Sequence, residues 1–267
     1  MKSHSTLPLS QDPILDCRLQ NADFKSEIRN LQSQIGAGRG ARRGIKGALE
    51  SKKLRRQSFA DYRRFIRGHY DGLAGKLTGF TGLVTGHETL AGRLIGPRAF
   101  DIRGCKHILD AGCGNGRYTR FLVRRADLDA SITCFDLSQR MLKRARRRVP
   151  NPRVSHVAAD LTRLPYPDAH FEAIVCGWVL EHLPDPHPGL AELSRVLRPG
   201  GKLLLLVTED TLTGSMCSRM WHCRTHNRHE LRRICHDLGL SWERPLWFTK
   251  LHAIFKLGGI IAELRRT

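Results

Sequence analysis

Short apolar runs separated by amphipathic stretches organise the chain from about residue 101 onward. Runs near 107–111, 131–136, 154–159, 171–177 and 202–207 have strand length, and most segments between them have helical spacing. Leu203-Leu204-Leu205-Leu206-Val207 is unbroken. A strand with apolar side chains on both faces must be covered on both, which the crossover helices of a parallel sheet achieve. Just before it, Leu190, Leu193, Val196 and Leu197 fall on one side of a helix that stops at Pro199-Gly200. Asn227 with Glu230 three residues later is a capping-box pattern, predicting a helix through Leu231, Ile234 and Leu238. Two last strands are expected near 241–247 and 259–265, with a short helix between them. Alternating strands and helices predict an α/β domain over residues 101–267.

The first hundred residues read differently. Residues 1–55 are polar and basic and predict a flexible arm, with a short helix near 23–31. Residues 56–100 carry Gly68, Gly72, Gly75, Gly79, Gly82 and Gly86, which predict short, interrupted helices forming a lid over one mouth of the core. The net charge is +20 and unevenly placed: Gly36 to Arg67 hold eleven Lys or Arg against Glu50 and Asp61. A second block (Arg140, Lys143, Arg144, Arg146, Arg147, Arg148) falls on the helix after the Asp136 strand. It reads either as a solvated face complementing the helix dipole or as a surface for RNA, an anionic membrane or an acidic substrate.

No apolar run reaches the ~18 residues of a membrane span. The start of the chain has no apolar leader and carries Asp12, Asp16, Asp23 and Glu27, which disfavours a signal or transit peptide, so a cytoplasmic protein is expected. The eight cysteines include no CxxC pair and predict free thiols. Cys217, His222, Cys223, His226 and His229 are zinc-ligand types, but their spacing fits no standard zinc pattern, so no metal is expected.

The chemistry gathers at Ile108-Leu109-Asp110-Ala111-Gly112-Cys113-Gly114-Asn115-Gly116. An apolar strand ends in a carboxylate, passes through three alternating glycines and opens a helix, a design that lets a nucleotide-like cofactor reach backbone N–H groups. The third glycine of a dinucleotide fingerprint is replaced by Arg117, and Asp110 is a poor neighbour for phosphates. It suits a cofactor with an amino group and a sulfonium, S-adenosylmethionine. Asp136 ends the second strand, 20 residues beyond Gly116, where a ribose-binding carboxylate belongs. Asp160 ends the third and is placed to accept from an adenine amino group.

Seven stretches stand in order: Leu109 to Gly116, Phe135-Asp136-Leu137-Ser138, Ala159-Asp160-Leu161, Leu164-Pro165-Tyr166, Phe171-Glu172-Ala173-Ile174, Leu180-Glu181-His182-Leu183-Pro184-Asp185 and Leu197-Arg198-Pro199-Gly200-Gly201. On these the chain from about Tyr70 resembles the class I S-adenosylmethionine-dependent methyltransferases, in particular the type 11 group containing the ubiquinone/menaquinone biosynthesis C-methyltransferases. The resemblance implies a Rossmann-like seven-stranded, mostly parallel sheet with helices on both faces and an antiparallel C-terminal edge. It implies that Gly112, Cys113, Gly114 and Gly116 wrap the methionine part of the cofactor while Asp110 approaches its amino group. Leu137 would cover an adenine face, and Asp160 with the Leu161 N–H would read the adenine edge. Carbonyls at Cys176, Gly177 and Trp178 would face the ammonium, and Tyr70 would close over the cofactor. His87 and Glu88 would line an acceptor pocket. His182, after the fourth strand, is the candidate catalytic base, with packing at a helix start as its other reading.

Position 176 begins Cys-Gly-Trp-Val rather than an Asp/Asn-Pro-Pro-Tyr motif, and no Pro-Cys pair occurs, which disfavours the usual DNA-base chemistries. The expected function is methyl transfer to a small-molecule or lipid-like acceptor of the quinone-precursor type. An RNA methyltransferase using the basic arm and arginine block is the alternative, and a non-catalytic cofactor-binding module is the third reading.

Overall fold

The computed structural model describes residues 58–71, 90–211, 214–215, 218, 223–254 and 259–267. The expected arm, His87 and Glu88 lie outside the described residues, as do Cys217 and His222. Within them the helices are α1 Phe59–Asp71, α2 Thr119–Arg125, α3 Gln139–Arg148, α4 His187–Val196, α5 Arg228–Asp237 and α6 Lys250–Ile254. The strands are β1 His107–Ala111, β2 Ser131–Asp136, β3 Val154–Ala158, β4 Phe171–Gly177, β5 Leu197–Val207, β6 Leu240–Pro245 and β7 Ile260–Arg266.

These strands form one sheet in the order β3-β2-β1-β4-β5-β7-β6. β1 is parallel to β2 and to β4, and β4 is parallel to β5. β7 runs antiparallel to both β5 and β6, which is the expected C-terminal edge. The order reverses between β1 and β4, and in an open parallel sheet that reversal opens a crevice at the strands' carboxyl ends.

The β5 run shows why the sheet needs two covers. Leu203, Leu205 and Val207 join one buried cluster with Leu190 and Leu193 of α4 and Leu231 and Cys235 of α5. Leu204 and Leu206 point the other way, into a cluster with Leu122 of α2 and Leu142 and Ala145 of α3. Each such side chain contributes roughly 1.5–3 kcal/mol on burial. β5 also begins earlier than the apolar run: Leu197 already pairs with Phe171, past an irregularity at Phe171/Ala173. Arg198 precedes a proline, which disfavours helix there, so α4 stops at Val196 and the chain turns straight into strand.

Residues 90–102 depart from the lid reading. Leu94, Ile95, Phe100 and Ile102 are buried with Ile108 and Ile132 in the α2/α3 cluster. Four large apolar side chains in one short segment find their partners on the sheet face, so this segment is part of the core. α1, in contrast, packs on the opposite cluster through Tyr62, Phe59 and Phe65. Among the described residues no helix is long and apolar enough to cross a membrane, and no group of three or more potential ligands could hold a metal. The described cysteines are free thiols, all buried except the half-buried Cys105.

Candidate functional site

A cavity of about 150 Å³ opens at the carboxyl ends of β1, β2 and β4. Its floor is the glycine loop. Gly112 has φ +66°, and a Cβ there would meet Val179 Cγ2 at 2.4 Å, so both the backbone conformation and the space exclude a side chain. The loop is pinned to β2: the Cys113 N–H donates to the Phe135 carbonyl at 2.8 Å. The Gly114 N–H donates to Asp136 Oδ2 at 2.8 Å, and Asp136 Oδ1 accepts from the Ser138 N–H at 2.8 Å. Ser138 in turn caps α3, its hydroxyl accepting from the Met141 N–H at 3.1 Å. Asp136 therefore fixes the loop and the start of α3 together, and both its neighbours and its own side chain face the cavity.

Of the residues expected from the sequence, Gly112, Cys113, Gly114, Asp136, Leu137, Leu161 and His182 line this cavity. Four others do not. Gly116 packs behind the loop, where a Cβ would lie 3.3 Å from Ala145 Cα of α3. Cys176 is fully buried in the core beneath the floor, its thiol pushed up by burial. Asp110 is 1% exposed and accepts from Thr119 Oγ1 at 2.6 Å, joining the end of β1 to the start of α2. Burial raises its pKa to about 7, against the hydrogen bonds from Thr119. Asp160 stands in the loop after β3, accepting from the Thr162 N–H and hydroxyl and from Arg63 Nε at 2.5 Å. Burial pushes its pKa up, but these donors outweigh burial and hold it below the usual value.

Among the described residues Tyr62 of α1 and Tyr118 both line the cavity. Tyr70 also belongs to α1, but its side chain lies outside the described residues. Tyr62 is 4% exposed, and burial together with the Asp160 and Asp136 carboxylates raises the pKa of its hydroxyl. The signal was present as Phe59, Tyr62 and Phe65, one face of a helix at three-residue spacing. Met141 from α3 and Ala159 after β3 also line the cavity. So does Trp178, which holds φ +62°, a conformation uncommon for a side-chain-bearing residue. Its N–H bonds the Leu206 carbonyl at 2.9 Å and its indole hydrogen-bonds the Tyr118 hydroxyl, which keeps the turn after β4 in this shape. His182 ends the turn Leu180–His182 at the cavity edge.

A Rossmann-like sheet, a three-glycine loop and a carboxylate ending β2 define the class I methyltransferase architecture. Comparison with known proteins makes it specific. Residues 109–205 match the profile of a methyltransferase domain family. An uncharacterized methyltransferase of Mycobacterium bovis is 31% identical over 148 residues, covering 53% of this chain and 72% of that protein. A ubiquinone/menaquinone biosynthesis C-methyltransferase of Desulfotalea psychrophila is 31% identical over 140 residues, covering 52% of this chain and 56% of that protein. The solved S-adenosylmethionine-dependent methyltransferase of Mesorhizobium loti shares the fold, with a TM-score of 0.53 and 19% identity over 66% of this chain and 96% of its own. The chain belongs to the class I S-adenosylmethionine-dependent methyltransferases, in the type 11 group, and S-adenosylmethionine is the cofactor of that family. It spans only part of several curated relatives, 31% of one and 28% of another.

The cradle fits that cofactor. Gly112 leaves open backbone where a side chain would fill the space, and no phosphate-binding third glycine follows. Asp136 presents a carboxylate to the cavity between apolar walls at Leu137, Met141 and Leu161.

Proposed function

We propose that this chain transfers a methyl group from S-adenosylmethionine to a small-molecule or lipid-like acceptor of the quinone-precursor type. The observation that carries the reading is the cavity itself, with loop, Asp136 and His182 converging on one space. When bound, S-adenosylmethionine supplies an electrophilic methyl group on a sulfonium. The chain's part is to align an acceptor with that methyl and to exclude water, which contributes several kcal/mol of the barrier lowering. Asp136 would take the ribose hydroxyls in charge-assisted bonds, with Leu137 and Leu161 against the adenine. Gly112, Cys113 and Gly114 would pass along the methionine part, and Tyr62 would close the top. In this reading Asp110 acts from below, by setting the loop, and Asp160 by fastening α1 through Arg63. His182 is the group placed to take a proton where the acceptor must lose one.

Calorimetric titration with S-adenosylhomocysteine, alongside NADH, tests this. Micromolar binding of the first and none of the second is expected; the reverse result, or no binding by folded protein, removes the reading.

A second reading has one observation in its favour. Arg140, Lys143, Arg146 and Arg147 are exposed on α3, opposite its buried Met141, Leu142 and Ala145. An RNA acceptor would bind there with steep salt dependence. Filter binding at rising salt separates the two, since a small acceptor shows no such slope.

A further inference from the structure

Large apolar side chains exposed to solvent are few among the described residues: Leu128 at 89%, Leu251 at 63% and Ile254 at 71%. Leu128 stands alone in a turn between Asp127 and Asp129. Leu251 and Ile254 stand together on α6, one turn apart, with the exposed Lys250 beside them. On a helix these three share one side, and the half-buried His252 and Ala253 take the other. That inner side is anchored. Phe248 is 2% exposed and meets the His252 ring edge-on at 5.6 Å, and His252 Nδ1 lies 2.6 Å from Thr249 Oγ1. With the inner side held, the helix presents Leu251 and Ile254 outward.

The place of α6 in the sheet gives that face a direction. β6 ends at Pro245 opposite Ala262, and β7 begins at Ile260 opposite Val207. The connection carrying α6 therefore leaves the sheet at the carboxyl end of β5, the edge on which the cofactor cavity opens. Its far end reaches that cavity's wall: a Cβ on Gly259 would lie 3.3 Å from Trp178 Cζ3.

Charge and area select the occupant. Between Glu243 and Glu263 the sequence holds Arg244, Lys250 and Lys256 and no carboxylate, in a chain of net charge +20. Of the two carboxylates that line the neighbouring cavity with Trp247, Glu209 is neutralised by Arg228 at 2.8 and 2.9 Å. Two aliphatic side chains and a lysine offer far less than the ~800 Å² that each partner buries in a stable protein interface. They match what an interfacial anchor requires, a few apolar side chains sunk at the headgroup boundary with cations beside them for anionic lipid.

We propose that α6 docks this protein on an anionic membrane surface, Leu251 and Ile254 entering the boundary between headgroups and acyl chains and Lys250 meeting lipid phosphates. Docked so, the edge of the sheet that holds the cofactor cavity faces the bilayer, which suits the lipid-like acceptor proposed above; the docking itself does not rest on that reading. Co-sedimentation of the full chain with vesicles of phosphatidylcholine alone, and of equal parts phosphatidylcholine and phosphatidylserine, tests it. Binding to the mixed vesicles and little to the neutral ones is expected. The double variant Leu251→Ser, Ile254→Ser should bind mixed vesicles at least about tenfold more weakly, the loss of two partly buried aliphatic side chains. Lys250→Gln should weaken binding about fivefold, the share of one cation at an anionic surface. A basic surface elsewhere on the chain, acting alone, is insensitive to the double variant, so undiminished binding in that variant overturns the proposal. So does failure to bind mixed vesicles, or equal binding to the two kinds. Sedimentation velocity without lipid covers a second copy as occupant: a dimer that the double variant dissociates also overturns the docking. S-adenosylhomocysteine affinity, measured on the same samples, should be the same in the double variant and the parent. Vesicle binding without S-adenosylhomocysteine binding would remove the methyl-transfer reading alone, and the opposite pattern the docking alone.

Discussion

Replacing Glu181 by glutamine should remove much of the pH dependence of this protein's stability. Glu181 is 4% exposed, between the turn after β4 and the end of β5. One oxygen accepts from Thr208 Oγ1 at 2.8 Å, and Oε2 is buried without a partner. Burial raises its pKa from 4.5 to about 8, with the Thr208 hydrogen bonds opposing the rise. Below the unfolded value both states hold the proton, and the buried carboxyl costs least. As the pH climbs toward the folded value, the unfolded chain ionises while the folded one keeps its proton, so unfolding becomes more favourable. At about 1.4 kcal/mol per pKa unit, the loss between about pH 5 and about pH 8 is roughly 3–4 kcal/mol. Glu181→Gln keeps the shape and cannot ionise, so its stability should stay flatter over that window and exceed that of the parent at the alkaline end. Asp110, raised to about 7, adds a change of the same sign in both proteins and leaves the difference between them intact. Urea unfolding at several pH values measures both curves. Parallel curves would mean that Glu181 ionises freely in the folded state, contrary to its burial against Thr208.

Three other outcomes are expected. Gly112→Ala forces a side chain into φ +66° and onto Val179, so it should abolish S-adenosylhomocysteine binding in calorimetry and lower stability by about 1–3 kcal/mol; a variant that binds like the parent would show the loop is not the cradle. Asp136→Ala should weaken the same ligand by about 1.5–3 kcal/mol, the range for hydrogen bonds to a charged group, and unchanged affinity would displace the ribose from Asp136. Leu205→Ala empties a fully buried position between β5 and the α4/α5 layer and should cost about 2–5 kcal/mol in chemical denaturation. A cost under about 1 kcal/mol would mean that face is loosely packed.

The sequence by itself determined the parts whose information is local. Strand positions followed from apolar runs, since a strand covered on both faces must be apolar throughout, and β1, β2, β4 and the apolar part of β5 lie where those runs lie. Asn227 caps α5 as its spacing to Glu230 implied, its side chain accepting from the His229 and Glu230 N–H groups. The three glycines and the Asp136 register likewise placed the cavity. Tertiary structure alone decided which side chains reach it. Asp136 ends β2 and Asp110 stands one residue before the end of β1, yet Thr119 and full burial hold Asp110 beneath the loop while Asp136 lines the opening. Asp160 is taken by Arg63, 97 residues away, and Tyr62 closes the cavity from the same helix. The tilt of Glu181 toward Thr208 arises where β4 and β5 converge. Burial and partners come from elements far apart in the chain. A residue's type and spacing say what chemistry it can do, and only the packed sheet says which atoms are left facing a ligand.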